Sequence, residues 1–437
     1  MRTFVGSSSP GNRVGVPLRG IRDRFPDLRR PGLHRAWALA SAPTMNRGRI
    51  LSLLPFLLGA GTIAAHAIGG HDEGAAPSLL GFAWIFGVIA TCAVAASHRA
   101  DAVAERLGEP IGTVVLTLSV IIIEVAVVAA MMIAGNGEPT VARDTMFATL
   151  MIILNGLVGV SLLAGGMRRH EQTFNLQTSA SYLSLLIPLA AITLVLPRMT
   201  ITESGGFMTR RMEVFVAFAC VAVYGAFLWM QTSSHRGFFS HPGGHGDGAH
   251  GHGEHGHAGH GHADHGHAQR AADEHGHAAP DRPMWIDILA LVVLLGMVVL
   301  MAESLGSATV RILEVNGLPR ALAGVLVASL ILGPEGVAAI QAARSESMQR
   351  TMNILLGSAL STIGLTVPVV LALGLIRGQR VELGLEAPEI TLLACTVLVS
   401  VVNFTHGRTN QMQGLVHLCL FVAYIALIFD VPSGSRG

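Results

Sequence analysis

The sequence predicts an all-α polytopic membrane protein of about eleven transmembrane helices, built as one extra helix plus two inverted five-helix repeats. Charged residues make up only 13% of its 437 residues, whereas a soluble domain carries about 25%. A helix needs about 20 apolar residues to cross a bilayer. Apolar windows close to that length recur along the sequence, on both sides of a histidine-rich linker. This composition excludes a soluble enzyme, and a net charge of +1 leaves no basic excess for nucleic-acid binding.

The windows set the predicted domain organisation. An odd number of spans in each repeat gives the two repeats opposite orientations, as in inverted-repeat transporters that bind substrate near the bilayer midplane. The arginine-rich N-terminus favours a cytoplasmic start. The apolar windows lie near 51–68, 79–97, 111–134, 146–166, 180–197, 213–231, 284–302, 318–341, 352–376, 389–404 and 413–430. The predicted segments are a disordered tail or false start (1–48), the extra helix (49–70), the first repeat (79–231), the linker (232–283) and the second repeat (284–430).

Two acidic residues lie alone inside long apolar windows. Glu124 is the only ionisable residue between 111 and 134, and Glu335 is the only one between 321 and 339. A charge at bilayer depth costs about 2.5–3.5 kcal/mol on insertion scales, so such residues are functional candidates. Gly333 and Pro334 precede the second glutamate and are expected to break its helix, which would free backbone carbonyls for a cation. The two glutamates are therefore the predicted cation and proton ligands.

Other polar residues recur at helical spacing inside the same spans and are predicted to support the glutamates. A lone hydroxyl in a membrane helix often bonds to its own backbone instead, so both interpretations stay open for each of them. The predicted supporting residues are Thr113, Thr117, Asn155, Ser358, Ser361 and Thr362. Asp287 and Glu389 flank spans and are interpreted as boundary charges.

The linker holds 13 of the 20 histidines, between residues 235 and 277, mostly as His-Gly or Gly-His pairs. Such a segment cannot bury a core and is expected to be disordered. It is interpreted either as a low-complexity connection between the repeats or as a metal-binding tract, because neutral imidazoles suit zinc, nickel or copper. The second interpretation motivates an alternative function, a zinc- or nickel-type exporter, which deletion of 240–278 would test.

Four stretches resemble signatures of bacterial calcium/proton antiporters in the cation/calcium exchanger superfamily. The stretch 108–125 contains Glu124, the stretch 330–337 contains Glu335, and the stretches 349–369 and 407–410 follow. The likeness extends from about residue 50 to residue 430. Departures lie at Val120, Ile331 and Gly336, close to the glutamates, and leave the choice among calcium, sodium and potassium open.

The resemblance implies that Glu124 and Glu335 bind cation and proton in turn, and that Asn155, Ser358 and Ser361 match amides and hydroxyls of the family. It implies an antiporter of the inner (plasma) membrane that works by alternating access.

We expect no enzymatic activity, no cofactor and no partner beyond lipid, cations and protons. An ion-gated channel or receptor and an intramembrane hydrolase are the alternatives from other classes. Lone carboxylates without a nucleophile or a metal cluster disfavour the hydrolase.

Overall fold

The computed structural model describes residues 47–69, 79–108, 111–134, 139–167, 171–203, 205–231, 283–404 and 407–430. The predictions for residues 1–46 and for the histidine-rich linker at 232–282 lie outside the described residues. So does the Thr113 side chain, although the backbone of this residue is helical.

The described residues form helices joined by short connections, which confirms the predicted all-α membrane fold. Ten helices, α2 to α11, are long and apolar enough to cross a membrane, while α1 contains a shorter apolar stretch at Leu53–Ala65. The helices are α1 (Arg47–Gly69), α2 (Leu79–Leu107), α3 (Ile111–Ala134), α4 (Val141–Gly166), α5 (Leu176–Met199), α6 (Arg210–Trp229), α7 (Met284–Val315), α8 (Ala321–Arg344), α9 (Met348–Arg377), α10 (Ala387–Phe404) and α11 (Gln411–Asp430).

Two connections between helices show that the repeats are inverted. Strand β1 (Gln172–Thr173), after α4, pairs antiparallel with strand β2 (Arg408–Thr409), after α10. At the other end of α5, Phe207 forms a bridge with Glu382, which follows α9. Helix α4 therefore ends on the side of the molecule where β1 pairs with β2. Helix α9, the third helix of the second repeat as α4 is of the first, ends on the opposite side, where Phe207 bridges to Glu382. Matching helices of the two repeats run in opposite directions.

Helices α4 and α9 occupy the centre of the molecule. In their most apolar windows 83% and 67% of residues are buried, against 22% for α6 and for α11. Each central helix contains a π-helical segment, Ile152–Leu157 in α4 and Thr362–Thr366 in α9. Such segments occur frequently at functional sites because the altered backbone frees polar groups and redirects side chains.

The expectation that Gly333 and Pro334 break their helix is wrong. Helix α8 runs without interruption from Ala321 to Arg344, with Pro334 inside it. A proline removes one backbone donor and usually kinks a helix, but a membrane helix packed against neighbours tolerates this loss. Because α8 packs against both α4 and α9, its neighbours hold the turn on either side of the proline. The unwound backbone predicted beside Glu335 is not formed.

Candidate cation and proton site

The two glutamates converge on one face of α9. The Ser358 hydroxyl donates to Oε2 of Glu335 over 2.5 Å, and the Thr362 hydroxyl donates to Oε2 of Glu124 over 3.2 Å. The two hydroxyl residues are four positions apart in the sequence, which corresponds to a rise of about 6 Å along a helix. The carboxylates of the two repeats therefore meet on successive turns of a single helix.

The two carboxylates differ in exposure. Glu124 is only 4% exposed, whereas Glu335 is half-buried. A small recess reaches Glu335 and is lined by residues of α2, α3 and α8, including Ser97 and Ser119. The Ser119 hydroxyl donates to the Val115 carbonyl over 2.7 Å, so its oxygen can accept a hydrogen bond from a water in the recess. Glu335 is thus the more accessible of the pair.

Helix α9 carries two further hydroxyls near the carboxylates. Ser361 donates to the carbonyl of Ser358 over 2.9 Å, so its side chain bonds to its own backbone. Thr366, one turn beyond Thr362, is fully buried, and its oxygen has no hydrogen-bond partner among the described residues. A buried hydroxyl normally has a partner, which makes Thr366 a further candidate ligand on the side of Glu124.

Asn155, predicted to support the site, makes its side-chain hydrogen bonds with residues other than the two glutamates. Its amide donates to the Thr396 hydroxyl over 2.9 Å, and its Oδ1 lies 3.3 Å from Nδ1 of His417. These partners belong to α10 and α11. Thr117, also predicted to support the site, makes no hydrogen bond with either glutamate in the described part of the chain. The supporting role of Asn155 and Thr117 therefore stays a prediction, with Asn155 bonded to α10 and α11.

Two buried ion pairs escaped the sequence interpretation. Asp287, interpreted as a boundary charge that flanks a span, is 1% exposed and bonds Arg99 over 2.6 Å, joining α7 to α2. Arg143 is also 1% exposed and bonds Glu382 over 2.5 Å, joining the start of α4 to the connection after α9. Burial raises the pKa of Glu382, and the charge of Arg143 acts in the opposite direction. The sequence offered one signal for these ion pairs: Asp287 and Arg143 are charged residues that each lie within about one helical turn of the end of a predicted span.

The oxygen supply of the site suits a hard cation. Two carboxylates and the hydroxyls of Ser358 and Thr362 offer at most six oxygens, and calcium takes six to eight, including water. Zinc and nickel prefer imidazole or thiolate ligands. Among the residues that the structure describes, no group of three or more His, Cys, Asp or Glu side chains is arranged to hold a metal ion. Within the described residues, the oxygen ligands of the candidate site are therefore of the kind that hard cations bind.

Known proteins resemble this chain over most of its length. The sequence is 36% identical to the sodium-potassium/proton antiporter ChaA of Escherichia coli, over 78% of this chain and 86% of that protein. It is 24% identical to a Ca(2+)/H(+) antiporter of Aphanothece halophytica, over 68% of this chain and 76% of that protein.

Solved structures have the same fold. Native YfkE matches with a TM-score of 0.62 and 17% identity, covering 86% of this chain and all of that one. The H+/Ca2+ exchanger CAX matches with a TM-score of 0.60 and 14% identity, covering 90% of this chain and 92% of that one. The family described as sodium/calcium exchanger protein matches residues 77–233 and 286–429. With both repeats matched, the chain belongs to the sodium/calcium exchanger protein family, whose members are membrane ion transporters.

Proposed function

We propose that this protein is a secondary antiporter of the inner (plasma) membrane that exchanges calcium, and also sodium or potassium, for protons. The observation that carries the proposal is the meeting of Glu124 and Glu335, one from each repeat, on successive turns of α9. The halves that alternate are the first repeat (79–231) and the second repeat (284–430).

The coupling of the two fluxes follows from burial. An ionised carboxylate away from water is costly unless a cation or a hydrogen-bond network compensates its charge. Each glutamate therefore holds either a proton or a share of a bound cation. Two carboxylates neutralise one calcium ion or accept two protons, so the cation leaves as the protons arrive. An empty, doubly charged site is disfavoured, and this exclusion links the cation flux to the proton flux.

Alternating access is supported by the inverted repeats and by the unequal exposure of the two glutamates. Glu335 is reached through the recess between α2, α3 and α8, whereas Glu124 is closed off. In inverted-repeat transporters the two halves rock around a site at the midplane, so that each face opens in turn. We infer that the arrangement with an accessible Glu335 is one end state and that the opposite state exposes Glu124.

The choice of cation draws on two kinds of relative. The 36% identical relative is named a sodium-potassium/proton antiporter, and the 24% identical one is named a Ca(2+)/H(+) antiporter. The carboxylate and hydroxyl oxygens of the site, together with water from the recess, suit calcium, which takes six to eight oxygen ligands, and the same oxygens can bind a monovalent cation. We therefore propose that calcium competes with sodium and potassium at the same two glutamates.

The test is exchange in proteoliposomes, with an internal pH dye reporting proton flux driven by calcium, sodium or potassium gradients. Glu124→Gln and Glu335→Gln are each expected to abolish proton-coupled flux of every cation, because an amide can neither release a proton nor neutralise a cation. Glu303→Gln is the matched control, since Glu303 is an exposed glutamate inside α7. Wild-type exchange in either glutamate variant would refute the proposal, as would loss of exchange in the control.

A further inference from the structure

A second buried polar cluster joins α4 to α10 and α11, and in the described part of the chain it makes no hydrogen bond to either glutamate. His417 of α11 is fully buried. Its Nδ1 lies 3.3 Å from Oδ1 of Asn155, and its Nε2 lies 3.1 Å from Nδ2 of Asn403. The ring of Phe404 stacks on the imidazole, with 5.8 Å between centroids and 10° between planes. One imidazole thus connects α4, α10 and α11 inside the membrane-spanning region.

The hydrogen-bond directions assign one neutral tautomer to His417. The Asn155 Nδ2 donates to the Thr396 hydroxyl, so the atom that faces the ring is Oδ1, which can only accept. The Nδ1 of His417 must then carry the proton. The Asn403 Nδ2 donates to the other ring nitrogen, which must be unprotonated. Because both nitrogens are satisfied only in this form, the imidazole acts as a fixed neutral bridge with its donor directed at α4.

The segment held by His417 also reaches the helix that carries Glu335. Asn155 belongs to the π-helical segment Ile152–Leu157. Leu157, two residues on, packs against Gly336, where a Cβ atom would lie 2.8 Å from its Cδ2. Gly336 directly follows Glu335. One side of the segment is therefore bonded to the imidazole, and another side packs against the backbone beside the accessible glutamate.

We propose that His417 is a positioning residue for cation exchange, which holds the π-helical segment of α4 so that Leu157 packs against the backbone beside Glu335. This inference rests on the proposed function, because it assigns His417 an effect on the cation site that it does not touch. The imidazole acts through Asn155 and Leu157, and the rigid packing at Gly336 transmits its position. Removing the imidazole takes away the partner of the Asn155 Oδ1 and of the Asn403 Nδ2, and the segment shifts to satisfy these two atoms.

The test compares His417→Leu with His417→Asn in the proteoliposome assay. The leucine variant removes both hydrogen bonds and is expected to raise the KM for calcium and for potassium by about 10-fold, with the maximal rate within about twofold of wild type. The asparagine variant keeps a donor near the position of Nδ1 and is expected to recover most of the affinity. Tyr424→Phe is the control, because Tyr424 is a buried aromatic residue of the same helix outside this cluster.

Two further variants separate positioning from loss of fold. Asn155→Leu is expected to raise KM as His417→Leu does, and the double variant is expected to be no worse than either single one, because both break the same connection. Gly336→Ala pushes on Leu157 from the other side and is expected to raise KM with His417 intact. The proposal is overturned if the two single increases in KM multiply in the double variant, or if Gly336→Ala or His417→Leu has the KM of wild type.

The failure of this proposal can be told apart from failure of the proposed function. If wild-type protein shows no cation-driven proton flux, the proposed function itself fails. If wild-type protein exchanges normally, the outcomes above reject only the role of His417.

Discussion

The two central helices, α4 and α9, are structural counterparts with different chemistry. The Thr-Met pairs at 145–146 and 351–352 set them in register, which matches Ile152 with Ser358 and Gly156 with Thr362. Both hydroxyls of α9 bond a glutamate, one from each repeat, whereas the matching residues of α4 are apolar or lack a side chain. Among the described residues, a symmetric scaffold thus places the hydroxyls that bond the two glutamates on the central helix of the second repeat.

The same register exposes a second contrast where each central helix begins. Arg143 of α4 bonds Glu382 in the connection after α9. Its counterpart, Gln349 of α9, accepts a hydrogen bond over 2.5 Å from the backbone of Asn175, in the connection after α4. Both contacts tie the start of a central helix to the other repeat. One is a buried ion pair and the other is a neutral hydrogen bond, so their removal should have unequal effects.

The largest effect is expected at Arg143. Arg143→Leu removes the buried guanidinium that pairs with both Glu382 and Asp144, and a buried ion pair broken on one side costs about 3–5 kcal/mol. Gln349→Leu, the matched change in the second repeat, removes a neutral hydrogen bond and is expected to cost about 1 kcal/mol. Denaturant unfolding in detergent micelles measures both. Equal losses of stability would show that the two contacts are equivalent despite their chemistry.

An intermediate effect is expected at the hydroxyls. Ser358→Ala and Thr362→Val each remove a hydrogen bond to a carboxylate, an interaction worth about 1.5–3 kcal/mol when the acceptor is charged. Each is expected to raise the KM for calcium by about 10- to 100-fold in the proteoliposome assay. Ile152→Val, at the position of α4 that matches Ser358, serves as the control and should transport normally. If Ile152→Val impaired affinity as much as Ser358→Ala, the hydroxyl contribution would not be confined to α9.

The smallest effect is expected at Ser361, which matches Asn155 in register. Its hydroxyl bonds to the Ser358 carbonyl of its own helix, and such a bond adds little to helix stability. Ser361→Ala is therefore expected to leave KM and maximal rate within about twofold of wild type. A large rise in KM for this variant would place Ser361 among the cation ligands and remove the contrast with its neighbours Ser358 and Thr362.

Some features of the site were accessible from the sequence because they depend on local composition. A single carboxylate in an apolar span stands out from its neighbours, which is why Glu124 and Glu335 were predicted as a pair. The four-residue spacing of Ser358 and Thr362 indicated a shared helix face. The direction of Asn155 could not be predicted, because the π-helical segment of α4 alters the helical phase and this segment has no signal in the sequence.

Other features depend on contacts between distant segments. Asp287 is interpreted from the sequence as a boundary charge, and the structure buries it and pairs it with Arg99 of another helix. Pro334 was expected to break α8, yet the helix is continuous. In both cases a contact with another helix decided the outcome. Arg99 is 188 residues from Asp287 in the chain, and α8 packs against α4 and α9. No window of hydropathy includes such contacts.

The sequence alone determined the membrane fold, the number of helices, the inversion of the repeats and the family, since apolar length, an odd number of spans and short motifs are properties of consecutive residues. The tertiary structure decided that one helix provides hydroxyls to both glutamates, that Asn155 bonds His417 instead, and that Glu335 is the more accessible carboxylate. Those outcomes depend on how each helix is rotated against its neighbours. Rotation is set by packing across the whole bundle, because every buried polar group there must find its partner within the protein.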